Sequence, residues 1–259
     1  MDVRTGFVTQ LGMDRREALA AAAELEFDFV ELLMDGANER TRLAPEADAV
    51  VDARDEHDLA LLVHLPFALD VGSPFEHVRK GAVAELEACL ALAGDLGAEK
   101  AVAHASSGAW DPAWKDEDIR EHVFESVRKL VTAGNDHGVE ICVENIPHGF
   151  VDLSDFEALF AETDASMTFD TGHARIDGYD GPKMAEFVHE HADRVSHFHL
   201  NDTRVPRDEH LPFGAGTIDF EAIFDALDDA DWEGTLSLEV FTLDWGYLAT
   251  SKRRLDELL

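Results

Sequence analysis

Basic residues are scarce in this chain. It has 21 lysines and arginines against 55 aspartates and glutamates, a formal net charge of −34, and most of the bases are arginine. That balance argues against a broad nucleic-acid-binding face in ordinary salt, because a phosphate backbone is gripped by lysine and arginine. Two explanations of the surplus acid compete. One is a surface that collects cations or repels anionic substrates. The other is adaptation to very high salt, where dense carboxylates stay hydrated and self-repulsion is screened. The acids are spread along the chain, which favours the halophilic explanation. Cysteine is nearly absent: Cys89 sits in a helical pattern and Cys142 in a strand pattern. A disulfide framework is excluded, no zinc-knuckle spacing exists, and two free buried thiols in a reducing cytoplasm are expected. The N-terminus lacks a basic stretch followed by an apolar one, so no signal peptide is expected. No apolar run approaches membrane-spanning length, so no membrane partner is expected. No Pro/Ser-rich linker or low-complexity tract divides residues 1–259, which reads as one domain.

What the chain does have is a regular alternation. Eight short apolar runs, each read as a strand, are separated by helical patterns. The runs are Val3 to Thr9, Asp28 to Met34, Leu59 to Leu65, Lys100 to Ala105, Val139 to Asn145, the stretch ending at Asp170, Val195 to Leu200, and Thr235 to Val240. Asp14 is read as the N-cap of the first helix, Pro74 as opening a long helix that Gly97 ends, Ser154 as a further cap, and Asp219 and Trp245 as starting the last two helices. A polar loop is expected after Met34, and a longer one over Asn201 to Thr217. Strand–helix alternation predicts parallel strands with helices outside, and eight units predict a closed α/β (β/α)8 TIM barrel. An open doubly wound sheet is the alternative, but Gly6 and Gly12 do not make the glycine-rich phosphate turn such a sheet normally carries after its first strand.

Successive strand residues face opposite sides. Leu62 and His64 share a face, as do Val102 and His104, Cys142 and Glu144, His197 and His199, and Ser237 and Glu239. The other parity is almost wholly apolar. The outer face therefore packs under helices, while the inner face carries chemistry at the C-terminal rim. Glu144, Asp170, His199 and Glu239 each stand near a strand end. A buried charge without a partner costs several kcal/mol, and a divalent cation removes that cost. Three carboxylates and one imidazole suit Mn²⁺, Mg²⁺, Co²⁺ or Zn²⁺. The stretch Asp170-Thr171-Gly172-His173 is read as a strand end, a glycine turn and a histidine aimed at the same place. His64, His104 and His173 add imidazoles at the rim, and Asp208 and His210 lie in the loop after the seventh strand; each of these five is read as a contact to metal or substrate, against the alternative of a core hydrogen bond or a solvated turn. Glu31 is read either as a substrate contact or as a support for a neighbouring rim residue. Asn145 and His148 are placed for a hydroxyl; Trp110, Trp114, Phe67 and Phe213 are read as plain loop packing, with the pocket wall as the alternative. His189 and His191 read as surface residues.

Val143-Glu144-Asn145, Phe169-Asp170-Thr171-Gly172-His173-Ala174, His197-Phe198-His199-Leu200-Asn201-Asp202, the stretch from Asp208 to Phe220, and Leu238-Glu239-Val240 together resemble the xylose isomerase-like TIM barrels. That superfamily holds sugar and sugar-phosphate isomerases and epimerases, and also the apurinic/apyrimidinic endonucleases. The epimerase resemblance implies one divalent ion on Glu144, Asp170, His199 and Glu239. Glu144 and Glu239 would double as an acid–base pair acting on a metal-stabilised cis-enediolate. His173, and with it Arg204, would contact the oxygens of a small carbohydrate. The endonuclease resemblance implies three zinc ions on His64, His104, Glu144, Asp170, His173, His199, Asp208, His210 and Glu239. Two features favour the carbohydrate branch. The loop His64 to Val71 lacks the residues of a DNA-wedging loop, and the rim loops are short of Lys and Arg. A barrel that only binds a ligand is a third reading, which the intact carboxylate set opposes. A homo-oligomer is compatible with all three.

Overall fold

The computed structural model describes residues 2–205 and 207–259. Eight strands form a closed parallel barrel in which each pairs with the next in sequence and the last with the first. They are β1 (Asp2–Val8), β2 (Phe29–Leu33), β3 (Ala60–His64), β4 (Lys100–His104), β5 (Glu140–Glu144), β6 (Ser166–Asp170), β7 (Val195–Leu200) and β8 (Glu233–Leu238). The helices are α1 (Arg15–Glu24), α2 (Arg40–Leu43), α3 (Ala47–Glu56), α4 (Glu76–Asp95), α5 (Asp116–His137), α6 (Phe156–Glu162), α7 (Thr171–Ile176), α8 (Gly181–Glu190), α9 (Phe220–Asp229) and α10 (Trp245–Asp256). Among the described residues no helix is long and apolar enough to cross a membrane. Cys89 and Cys142 are free and buried.

The outward parity of the strands makes the main core. Phe7 packs edge-on against Trp245 at 6.0 Å, Phe169 lies 5.7 Å from Phe187, and Phe198 meets Trp232 at 5.2 Å. Each fully buried aromatic of this kind contributes about 1.5–3 kcal/mol. The inward parity is tighter and more mixed. A Cβ on Gly6 would fall 2.3 Å from the Phe29 ring, so only glycine lets that ring cross the barrel interior.

Helix starts follow side-chain oxygens. Asp14 accepts from the Arg16 and Glu17 amides, and Asp219 accepts from Ala222. Four local expectations need correction. Ser154 is not the cap: the Asp152 carboxylate accepts from the Ser154 amide and hydroxyl, and with Asp155 it makes a capping box that opens a 3₁₀ turn before α6. A charged oxygen takes the position from the weaker hydroxyl. Pro74 precedes α4 rather than opening it, because Phe75 stays extended at φ −89° and ψ 107°. The polar stretch after Met34 is not plain loop but carries two 3₁₀ turns and α2. The glycine turn at Gly172 is in fact helical: β6 runs directly into α7 with Asp170 as the cap. β8 ends at Leu238, so Glu239 stands just beyond it.

Candidate active site and metal centre

Register places the rim side chains as neighbours. His104 pairs with Glu144 across β4 and β5, and Asp170 with His199 across β6 and β7. The Asp170 backbone is clamped by Asn145, whose Oδ1 accepts from the Asp170 amide at 2.8 Å while its Nδ2 donates to the Asp170 carbonyl at 3.1 Å. Asn145 is therefore spent on structure, not held for a hydroxyl. The Asp170 side chain is fixed as well: Oδ1 accepts from the His173 amide at 2.6 Å, and Oδ2 accepts from Asn201 Nδ2 at 2.6 Å. Gly172 makes room for that asparagine, since a Cβ there would lie 2.0 Å from Asn201 Oδ1.

Nine of the sequence-predicted residues come together. The donor atoms of Glu144, Asp170, His199 and Glu239 all lie within 4.8 Å of one another, as do those of His64, His104 and Glu144, and those of His173, Asp208 and His210. Glu144 belongs to two of these sets. Its Oε2 meets His104 Nε2 at 2.9 Å and His64 Nε2 at 3.4 Å; its Oε1 meets His173 Nδ1 at 3.1 Å and His199 Nδ1 at 3.5 Å. His210 Nε2 lies 2.6 Å from Asp208 Oδ1, and His173 Nε2 lies 3.7 Å from Asp208 Oδ2.

The fit to a metal ion rests on three buried atoms without a hydrogen-bond partner: His199 Nδ1, His210 Nδ1 and Glu239 Oε2. Both imidazole nitrogens lie 3.4 Å from that oxygen. Orphaned buried polar atoms cost about 1–3 kcal/mol each, so three facing one point mark a place shaped for something else. The donors are carboxylate oxygens and imidazole nitrogens, the set preferred by hard to borderline divalent ions. His199 Nε2 donates to Glu31 Oε1 at 3.0 Å, leaving Nδ1 toward the rim.

Charge follows from the crowding. Burial pushes the Asp170 carboxyl up to about 7; His173 opposes this, and Glu239 and Glu144 add to it. Burial also works to raise Glu144 and Glu239, but buried imidazoles reverse it. His199 and His104 hold Glu144 well below the usual carboxylate range, and His199 and His210 bring Glu239 to about 2. Burial works to lower His199 and His210, yet the facing carboxylates, Glu31 and Glu239 first among them, lift His199 well above its ordinary value and Glu239 lifts His210 to about 9.

Above this floor is a cavity of about 220 Å³. Its other wall is apolar: Val8, Leu11, Leu33, Phe67 and Phe241, with Gln10 beside them. Phe241 stacks on His210 at 3.8 Å. Two wider depressions, of about 620 and 670 Å³, lie away from the rim residues, on the α6–α8 side and at the strands' N-terminal ends.

Several predicted residues lie elsewhere. Arg204 is 64% exposed and donates to Glu209 at 2.6 Å, so the second half of a substrate grip is not built there. His148 is exposed in the left-handed region at φ +57°. Trp110 is 72% exposed outside the cavity, and Phe213 is buried against Phe220 at 4.1 Å. Glu31 does not reach the cavity. It is fully buried one layer down, where it binds His197, His199 and Ser237. Sequence reading missed the roles of Asn201, His197 and Ser237. The signal for the last two was present in their inward parity; Asn201 carried none.

Comparison with known proteins gives one family and two chemistries. A family described as xylose isomerase-like TIM barrel matches residues 19–257. An Escherichia coli protein named as a candidate L-ribulose-5-phosphate 3-epimerase is 28% identical over 247 residues, covering 87% of this chain and 83% of its own. A Mycobacterium leprae protein named as a candidate endonuclease 4 is 26% identical over 225 residues, covering 80% and 83%. The crystal structure of a D-tagatose 3-epimerase-like protein superposes with a TM-score of 0.84 at 26% identity, covering 98% of this chain and 96% of that one.

Proposed function

The chain belongs to the xylose isomerase-like TIM barrel family, and from that premise we propose that it is a divalent-metal-dependent isomerase or epimerase of a small carbohydrate. The observation that carries this is the convergence of Glu144, Asp170, His199 and Glu239 below a cavity that has one apolar wall and no lysine or arginine in its lining. The likeness to an epimerase-like structure over almost the whole chain supports the same reading. A divalent ion, when bound there, supplies Lewis-acid polarisation of a carbonyl oxygen and offsets the negative charge that develops on it.

The chain's own residues supply the proton chemistry. Glu144 and Glu239 approach the site from β5 and from beyond β8, and both are ionised at neutral pH. One takes the proton from the carbon beside a substrate carbonyl; the other, once it has taken up a proton from solvent, delivers it to the opposite face, and the first then returns its own proton to solvent. Glu239 is the freer of the two, since its Oε2 has no partner. Phe67 and Phe241 line the apolar wall beside these carboxylates and stand partly exposed at the mouth.

A second reading has its own observation. Glu144 is held by four imidazoles and shared between two donor sets, and His173, Asp208 and His210 make a third. That arrangement suits several ions and a phosphodiester substrate, as an abasic-site endonuclease requires. Two measurements in molar salt separate the readings. The carbohydrate reading expects one tight ion per chain by elemental analysis, and isotope exchange into the carbon-bound position of ketoses in deuterated water. Three zinc ions per chain with robust incision of an abasic duplex would overturn it.

A further inference from the structure

We propose that Lys100, Thr235, His197 and Glu31 form a one-way hydrogen-bonded chain that acts as a positioning device, holding His199 with Nε2–H turned inward and Nδ1 turned to the rim. The purpose assigned to the chain rests on reading His199 as an ion ligand.

Lys100 opens β4 near the bottom of the barrel and is buried. Its Nζ donates to the Ser196 carbonyl at 2.6 Å and to Thr235 Oγ1 at 3.0 Å. An ammonium has donors only, so the hydroxyl must accept from it. The hydroxyl's own hydrogen then goes to His197 Nδ1 at 2.7 Å rather than to the Ser196 carbonyl at 3.4 Å. His197 is left with its proton on Nε2, which donates to Glu31 Oε2 at 3.0 Å. Ser237 donates to the same oxygen at 2.5 Å. The other oxygen, Glu31 Oε1, takes His199 Nε2–H at 3.0 Å. Both ends fix the direction: the ammonium cannot accept and the carboxylate cannot donate. Reversing His197 would turn its bare Nε2 toward a carboxylate and its Nδ1–H toward a hydroxyl whose hydrogen then has no good acceptor.

Packing alone does not ask for this. On the β3, β4 and β5 side the same depth of the interior is filled by Leu62, Val102 and Cys142, all fully buried. Placing a lysine, two histidines and a glutamate opposite them costs several kcal/mol per ion relative to apolar residues. A residue set of that cost, converging on Glu31 and there accepting the proton of the one histidine of the four-residue donor set, fits the role of fixing that histidine's orientation. The sequence reading of Glu31 as a support for a rim residue thus gains a definite partner, and the support extends to the far end of the barrel.

The test uses metal-free full-length protein in molar salt, labelled with ¹⁵N-histidine, with Mn²⁺ alone as the probe. Long-range ¹H–¹⁵N correlation in the unsubstituted protein should show His197 protonated on Nε2 and bare on Nδ1. Thr235→Val keeps the shape but breaks the chain, and should loosen that tautomer and weaken Mn²⁺ binding by about tenfold. Glu31→Gln should weaken it by about 10–100-fold, the usual range for a ligand's outer partner. Thr235→Ser restores the hydroxyl and should restore both the tautomer and, to within about twofold, the affinity. A His197 proton on Nδ1 overturns the chain itself, and this reading does not need any variant to fold. Equal Mn²⁺ affinity for the valine and serine variants overturns its role. Failure of the unsubstituted protein to bind any divalent ion overturns the metal reading and the chain's purpose with it, while the tautomer still reports the chain.

Discussion

Two carboxylates in the barrel interior, Glu31 and Glu239, stand about one layer apart and face the same histidine. Glu31 accepts from His197, His199 and Ser237, so both of its oxygens are occupied. Glu239 has a buried Oε2 with no donor, next to two imidazole nitrogens in the same condition. The residue types are alike, and burial is similar. The difference lies in the accounting of hydrogen bonds. A carboxylate with donors on both oxygens is finished as protein. A layer that leaves three atoms facing one another is completed only by something from outside.

That contrast can be broken at several points. The largest effect is expected on chemistry at the rim. Glu239→Gln should lower turnover by about 10²–10⁴-fold, and by removing the charge that raises His199 and His210 it should also lower the thermal midpoint of the metal-free protein at neutral pH. Retained turnover in this variant would remove Glu239 from the acid–base role. In the layer below, the main effect falls on stability. Glu31→Leu strands two buried imidazoles and should cost about 3–5 kcal/mol of stability, read by chemical denaturation; a cost under about 1 kcal/mol would show that the layer does not depend on it.

A smaller effect is expected from pH. His210, raised to about 9 by Glu239 and Asp208 against its burial, contributes stability that is complete below its ordinary value near 6.5 and lost as pH climbs through 9. Asp170, raised to about 7, acts in the same direction over its own lower window, from the ordinary carboxylate range up to about 7. The contribution of Glu239 is lost only on acidification, toward about 2. The chelator-treated protein should therefore melt at progressively lower temperature from pH 6.5 to 9. Saturating divalent ion should reverse the trend, since binding must displace those protons. Parallel melting curves with and without the ion would contradict the site. The smallest effect is reserved for Arg204→Ala. Its pair with Glu209 is exposed and screened by solvent, and neither kcat nor KM should move; a raised KM would return Arg204 to the substrate.

The barrel was legible because its signals are local and repeated. Alternating strand and helix patterns, and an inward parity that placed His64, His104, Glu144, His199 and Glu239 on one rim, needed no knowledge of distant contacts. The apparent two-residue clamp of Asp170 and His173 was legible in location but not in form. Gly172 suggested a turn, whereas the glycine is needed for Asn201, far along the chain. Glu31 was undecidable from sequence for the same reason: only closure of the barrel brings β2 against β7 and β8. Arg204 failed because an adjacent loop acid, Glu209, captured it, and loop conformations are not written in periodicity.

The junction of β6 and α7 carries a further consequence. Asp170 ends a strand, caps a helix through the His173 amide, and offers its carboxylate to the rim. Three duties in one residue leave little freedom to drift. Divergence of substrate preference in such a barrel has room in Leu11, Phe67 and Phe241, whose side chains stand in loops around the mouth. At Asp170 any change alters the scaffold and the chemistry together, so redesign of this protein is best begun at the mouth and ended short of that corner.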